Sequence, residues 1–228
     1  MILECKDLCK TYLSKRAVSD FNLKLSQGRI YGLLGENGSG KTTWMKMVAG
    51  LTKPSSGQIL FKDHLLNYRD KGEIAYMSTE PFFYDFMTVK NVGEYYQDFF
   101  EDFDLEKYAK LTERLGLSPE LKVRELSSGM TAKLKIAATL SRQASLYLLD
   151  EPLNGVDYKA REEIVAIILS QADESNCFVI STHLIEEVES YIDEAIFVKD
   201  GQVILRTDTE KERFTSGKSI ADIYLEIM

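Results

Sequence analysis

The sequence is poor in the residues that mark most special classes of protein. Four prolines and 14 glycines in 228 residues are too few for a collagen-like or low-complexity chain. Cysteine is equally scarce. Cys5, Cys9 and Cys177 form no disulfide framework, and Cys5 with Cys9 falls short of the four ligands of a structural zinc site. They read as reduced structural thiols. Long apolar runs are missing as well. The longest, Ile164 to Leu169, has six residues, against the roughly 20 that a membrane-spanning helix needs. The N-terminus lacks a basic leader followed by an apolar stretch, so no signal peptide is expected and the chain reads as cytosolic. Basic residues are in deficit, with 28 against 36 acids and a net charge of −8. Nucleic-acid binding draws on Lys and Arg to neutralise phosphates, so no nucleic-acid partner is expected.

What remains is ordinary globular material. Apolar types make up 44% and charged types 28%, enough to bury a sizeable core. There is no internal repeat and no linker. Residues 2–25 read as two strands and a turn, with Phe21, Leu23 and Leu25 alternating against polar neighbours. Ile30 to Leu34 is a buried strand running into a glycine-rich loop, and Trp44 to Leu51 reads as helix. Gln58 to Lys62 and Ile74 to Met77 are further strands. Residues 82–140 carry no strand pattern and read as a helical lobe rich in aromatics. The α/β rhythm then returns. Leu146 to Leu149 is a strand, Tyr158 to Gln171 a helix, and Cys177 to Ser181 a strand. A hairpin turns at Asp200-Gly201, and the tail from Lys211 is helical. The predicted fold is α/β, with an N-terminal antiparallel β subdomain and a core of 1–81 and 141–228 into which the lobe 82–140 is inserted.

The glycine-rich loop is informative. Gly35-Glu36-Asn37-Gly38-Ser39-Gly40-Lys41-Thr42 fits G-x-x-x-x-G-K-[ST], a pattern expected by chance at roughly one position in 30,000. Glycines allow a tight turn whose N–H groups converge on one anion, and the following helix adds its positive N-terminus. Lys41 would reach the β- and γ-phosphates, and the Thr42 hydroxyl would ligate Mg²⁺. With the adjoining Thr43, these residues form the candidate phosphate site.

Leu146 to Leu149 ends in Asp150 and Glu151. On a parallel sheet, strand carboxyl ends gather beside such a loop. Adjacent residues point apart, so the two acids divide the work. Asp150 would hold Mg²⁺, and Glu151 would orient and polarise the attacking water. His183 follows another strand's carboxyl end and is placed to meet a γ-phosphate. His64 reads as an exposed structural residue in a turn.

With these motifs in this order, the chain resembles the nucleotide-binding subunit of ATP-binding cassette (ABC) transporters over about residues 2–210. The deciding stretch is Leu126-Ser127-Ser128-Gly129-Met130, similar to the family signature LSGGQ and lying between the phosphate loop and the acidic strand. The resemblance implies one P-loop NTPase domain over 1–228, with a RecA-like core, that binds ATP and Mg²⁺. It implies that Tyr12 stacks on adenine, that Asp157 in Asn154-Gly155-Val156-Asp157 is the D-loop aspartate and that His183 is the switch histidine. Two cassettes, identical or different, would pair head to tail. Ser127, Ser128 and Gly129 of one would then meet ATP held by the other. Opening and closing would drive a separate membrane permease, through differential affinity of ATP for the closed pair. The chain would sit peripherally on the inner face of the cell membrane.

The sequence departs from the family pattern at three places. Ser128 replaces a glycine, Met130 a glutamine, and Thr79, in Tyr76-Met77-Ser78-Thr79-Glu80-Pro81, the Q-loop glutamine. Glu80 is a candidate substitute for that last role. This set resembles cassettes that work with ABC-2-type permeases. The residues after Thr79, Phe82 to Met87, would form either the permease-docking surface or lobe packing, while Phe99, Phe100 and Phe103 read as lobe packing. Two other readings compete. A soluble cassette acting on ribosomes or DNA repair is disfavoured by the single phosphate loop and the short interval from Leu51 to Leu126. A regulatory module that binds ATP without hydrolysis is disfavoured by the presence of Asp150, Glu151 and His183.

Overall fold

The computed structural model describes residues 1–80 and 82–227. Pro81, which closes the Tyr76–Pro81 segment and the first part of the expected core, and Met228 lie outside the described residues. Two sheets organise the chain. Strands β1 (Leu3–Tyr12), β2 (Lys15–Leu25), β4 (Ser56–Phe61) and β5 (His64–Leu65) form an antiparallel sheet in the order β2-β1-β4-β5. Strands β3 (Arg29–Leu34), β6 (Ile74–Met77), β7 (Leu146–Asp150), β8 (Cys177–Thr182), β9 (Glu194–Lys199) and β10 (Gln202–Asp208) form the second, ordered β10-β9-β3-β8-β7-β6. All neighbours in the second sheet are parallel except the β9–β10 hairpin. That hairpin turns at Asp200 and Gly201, both with positive φ, as the strand twist requires.

The central strands are apolar on both sides because both sides are covered. Tyr31, Leu33, Leu148, Val179 and Ile196 face the antiparallel sheet and helix α1 (Lys41–Val48), in a core that includes Phe21 and Trp44. Leu34, Tyr147, Leu149, Phe178 and Ile180 face the opposite way. There they meet α2 (Val89–Phe99), α3 (Leu105–Arg114), α4 (Ser128–Leu140) and α5 (Tyr158–Gln171). The short α6 (Ile185–Val188) follows β8, and α7 (Thr209–Ser216) and α8 (Ile220–Ile227) close the chain. Among the described residues, no helix is long and apolar enough to cross a membrane.

Several local expectations are corrected. Helix α1 starts at Lys41, not Trp44, because Gly40 takes a left-handed conformation (φ 108°) and turns the chain directly into helix. The fourth strand ends at Phe61, since Lys62 and Asp63 adopt positive φ and make the turn. His64 therefore lies in β5, after the turn, with Nε2 2.9 Å from Asp70 Oδ1. Phe103 is buried and Phe100 lies under the Arg142 guanidinium at 3.9 Å. Phe99 is not lobe packing: it is 66% exposed and its ring lies tilted against Tyr95 one turn earlier, on the solvent side of α2. The Phe82–Met87 stretch divides, with Phe83 half-buried against Tyr96 while Tyr84 and Phe86 stack on each other in solvent.

Candidate nucleotide site

Strand β3 delivers the chain into the loop at Gly35, and α1 carries it away from Gly40. Both glycines are required by close approach. A Cβ on Gly35 would lie 2.2 Å from the Val198 carbonyl oxygen, and one on Gly40 2.5 Å from that of Ala17. The loop is moored to the β9–β10 hairpin by the Gly201 N–H, which donates to Ser39 O at 2.9 Å. Glu36, Asn37 and Gly38 face solvent, while Ser39 is buried with an unpartnered Oγ.

Lys41 is 5% exposed and folds over the loop, donating to Gly35 O at 2.6 Å and Glu36 O at 3.0 Å. Burial holds its ammonium below the ordinary lysine value, opposed by the nearby charges of Glu151 and Asp150. Its Nζ lies 3.7 Å from Glu151 Oε1. The other oxygen of Glu151 lies 3.0 Å from His183 Nδ1. Glu151 has φ 48°, a conformation costly for a side-chain-bearing residue. It turns the carboxylate out of the β7 ladder toward Lys41 and His183, whereas Asp150 stays inside.

Asp150 is fully buried and accepts three hydroxyl hydrogen bonds, from Thr42 Oγ1 at 3.1 Å, Tyr76 at 3.2 Å and Ser181 at 2.6 Å. Ser181 Oγ also accepts the Glu151 N–H at 3.0 Å, so one hydroxyl holds both acids in place. Burial, then the Asp150 charge, pushes the Tyr76 phenol well above its usual value. Sequence reasoning missed Tyr76 and Ser181. The available signal was strand pairing, which sets Asp150 opposite Ser181 and Tyr76 opposite Leu148. Mg²⁺ takes one or two carboxylates, keeps several waters and shares substrate phosphates. The Thr42 hydroxyl and Asp150 carboxylate, side by side at the phosphate loop, fit that donor set. Among the described residues, no group of three or more His, Cys, Asp or Glu could hold a metal by itself.

A cavity of about 460 Å³ joins these parts. Tyr12 and Lys15 line one side, Asn37, Gly38, Gly40, Lys41, Thr42 and Thr43 the floor, and Thr79, Glu151 and Asn154 the other side. Tyr12 is 45% exposed, with Lys10 Nζ 5.0 Å from its ring centroid. The signature residues stand elsewhere. Helix α4 begins at Ser128, because Ser127 caps it by accepting the Met130 N–H at 3.2 Å. Ser128 Oγ donates to Gly155 O at 3.0 Å, and Asp157 caps α5 through the Ala160 N–H at 3.1 Å. Ser127 and Gly129 lie outside the phosphate-loop cavity. Glu80 does not reach the site: its carboxylate is 68% exposed and paired with Lys46 of α1 at 2.7 Å. Thr79 is the residue of that loop facing the cavity.

Comparison with known proteins supplies the family. Residues 18–154 match the family model described as ABC transporter. The bacitracin transport ATP-binding protein BcrA of Bacillus licheniformis is 34% identical over 219 residues, covering 89% of this chain and 68% of that protein. The lantibiotic transport ATP-binding protein SrtF of Streptococcus pyogenes is 32% identical over 223 residues, 91% of each chain. Among solved structures, an ATP binding subunit of an ABC transporter superposes with a TM-score of 0.87 over 99% of both chains at 24% identity, a likeness of fold. A glycine-rich loop leading to a buried lysine, a carboxylate pair at the neighbouring strand end and the family match together identify the chain: it belongs to the ABC transporter family, as an ATP-binding and ATP-hydrolysing subunit.

Proposed function

We propose that this cassette powers a separate integral-membrane permease, from the cytoplasmic face of the membrane, by pairing with a second cassette around ATP. The observation that carries the reading is the contact chain Lys41–Glu151–His183, at 3.7 and 3.0 Å, at the mouth of the phosphate loop. It gathers a phosphate-binding cation, a general base and a hydrogen-bonding imidazole where a γ-phosphate would lie.

In this reading the N–H groups of Gly35 to Thr43 and the Lys41 ammonium bind the phosphates, and Tyr12 stacks on adenine. Glu151 accepts the proton of the attacking water. His183 uses Nδ1 to orient Glu151 and keeps Nε2 for the γ-phosphate. Thr42 and Asp150 would hold Mg²⁺, which supplies charge neutralisation on the phosphate oxygens. Ser127, Ser128 and Gly129 serve the ATP of the partner cassette, and Asp157 lies at the same interface. Residues 1–81 and 141–228 act as the nucleotide core and 82–140 as the permease-facing lobe, docking through Phe83, Tyr84 and Phe86. Two relatives carry bacitracin and lantibiotic transport in their names, which supports a transport role. The substrate itself is selected by the permease.

Glu151→Gln tests the core of the reading. It should retain ATP binding, lose on the order of 10²–10⁴ in turnover and accumulate an ATP-bound dimer on size exclusion. Turnover near that of the parent would remove Glu151 from the catalytic role.

A further inference from the structure

Lys135 lies in the middle of α4 and is 7% exposed. A buried ammonium is costly unless its hydrogen-bonding capacity is met. Here it is met in full. Lysine carries three N–H donors, and Nζ lies 3.1 Å from Ser78 O, 2.9 Å from Thr79 O and 2.9 Å from Glu80 O. The Phe82 ring centroid is 5.2 Å away. One side chain thus gathers three consecutive carbonyls of the segment just after β6. Burial lowers the ammonium's pKa, opposed by Asp150 and Glu80, so the site was built at a cost that an apolar residue would have avoided.

The gathered segment is held from the other side too. Glu80 pairs with Lys46 of α1, the helix that follows the phosphate loop. Thr79, at its centre, lines the phosphate-loop cavity. It also lines a second cavity, of about 270 Å³, shared with Ser128, Asp150, Glu151 and Lys135 itself. The segment therefore bridges two helices whose N-termini are the phosphate loop and the signature.

We propose that Lys135 is a positioning residue that couples the signature helix α4 to the Ser78–Glu80 segment, so that displacement of the signature end moves Thr79 at the phosphate site. The carbonyl tripod does the work that a long Q-loop side chain cannot do here, since position 79 carries only threonine. The coupling rests on the ATP-driven pairing proposed above.

The test compares Lys135→Met with Lys133→Met in the full chain. Lys133 is on the same helix and pairs with Glu163 at 2.5 Å, so its loss controls for stability alone. Readouts are thermal midpoint, Mg²⁺-free binding of a fluorescent ATP analogue, kcat and KM, and ATP-dependent dimer fraction in a Glu151→Gln background. Lys135→Met should bind the analogue within about threefold of the parent, lose about tenfold or more in kcat and form less dimer. Lys133→Met should keep kcat within about twofold. The coupling is overturned if Lys135→Met retains kcat within about twofold, or if both variants lose kcat in proportion to their thermal shifts. Should Lys135→Met fail to fold, Lys135→Arg decides. A planar guanidinium keeps the charge but cannot offer three donors from one atom, so a folded variant with undiminished kcat overturns the proposal. A parent chain with neither turnover nor ATP-dependent dimer overturns the underlying reading, and the coupling with it.

Discussion

Ser181→Ala probes how the two acids are held. The hydroxyl donates to buried Asp150 at 2.6 Å and accepts the Glu151 N–H at 3.0 Å. Removing a hydrogen bond to an ionised acceptor costs about 1.5–3 kcal/mol. The Glu151 N–H retains the Ser181 backbone carbonyl at 3.2 Å, and Asp150 retains Thr42 and Tyr76, so about 2 kcal/mol is expected. For a chain of this size that is a fall in Tm of about 4–8 °C. Ser141→Ala is the internal reference. That hydroxyl is equally buried but donates to the Ala137 carbonyl one turn back, where its loss should cost about 0.5 kcal/mol or less. Thermal unfolding of both variants gives the stability difference. Ser181 lies outside the phosphate-loop cavity, so Mg²⁺-free nucleotide affinity should hold, while kcat falls on the order of tenfold as Glu151 loosens. Equal Tm shifts for the two serines, or an unchanged kcat in Ser181→Ala, would refute the assignment of Ser181 as the clamp of the acid pair.

Tyr76→Phe should follow the same pattern more weakly, costing about 1 kcal/mol for its 3.2 Å bond to Asp150, and denaturant unfolding would measure it. Gly40→Ala places a Cβ 2.5 Å from the Ala17 carbonyl, with an expected cost of about 3 kcal/mol and lost nucleotide binding by titration. Gly38→Ala meets no neighbour and should cost only about 1 kcal/mol of backbone strain. Burial pushes the Cys5 thiol up to about 12 and raises that of Cys177 as well. Neither should react with maleimide in the native protein, and both should label after denaturation; labelling within minutes while the circular dichroism stays native would contradict the packing. Replacing Phe83 and Tyr84 by Ser should release the permease in a detergent pull-down while ATP binding persists, whereas a retained permease, or loss of ATP binding, would refute the docking role.

Much of this was legible in the chain because the information was local. A run of apolar residues ending in Asp150-Glu151 reads as a buried strand with acids at its end, whatever surrounds it. The phosphate loop is a contiguous pattern, and the alternation of Phe21, Leu23 and Leu25 declares one buried face. Errors arose where conformation depended on one special residue. Gly40 starts α1 three residues early through its left-handed turn. Phe99 looked like core by residue type, yet the helical phase of α2 turns it to solvent beside Tyr95.

The sequence by itself determined the α/β class, the phosphate loop and the acids that accompany it, since each is written in consecutive residues whose chemistry suffices. Tertiary structure alone decided which distant groups share a hydrogen bond. Pairing of β7 with β8 sets Ser181 beside Asp150, the left-handed turn at Glu151 aims its carboxylate at Lys41 and His183, and α4 packing brings Lys135 to the Ser78–Glu80 carbonyls. Such contacts join residues 31 to 110 positions apart, and only the register of strands and the packing of helices fix them, because a buried polar group must find its partner wherever the fold has put it.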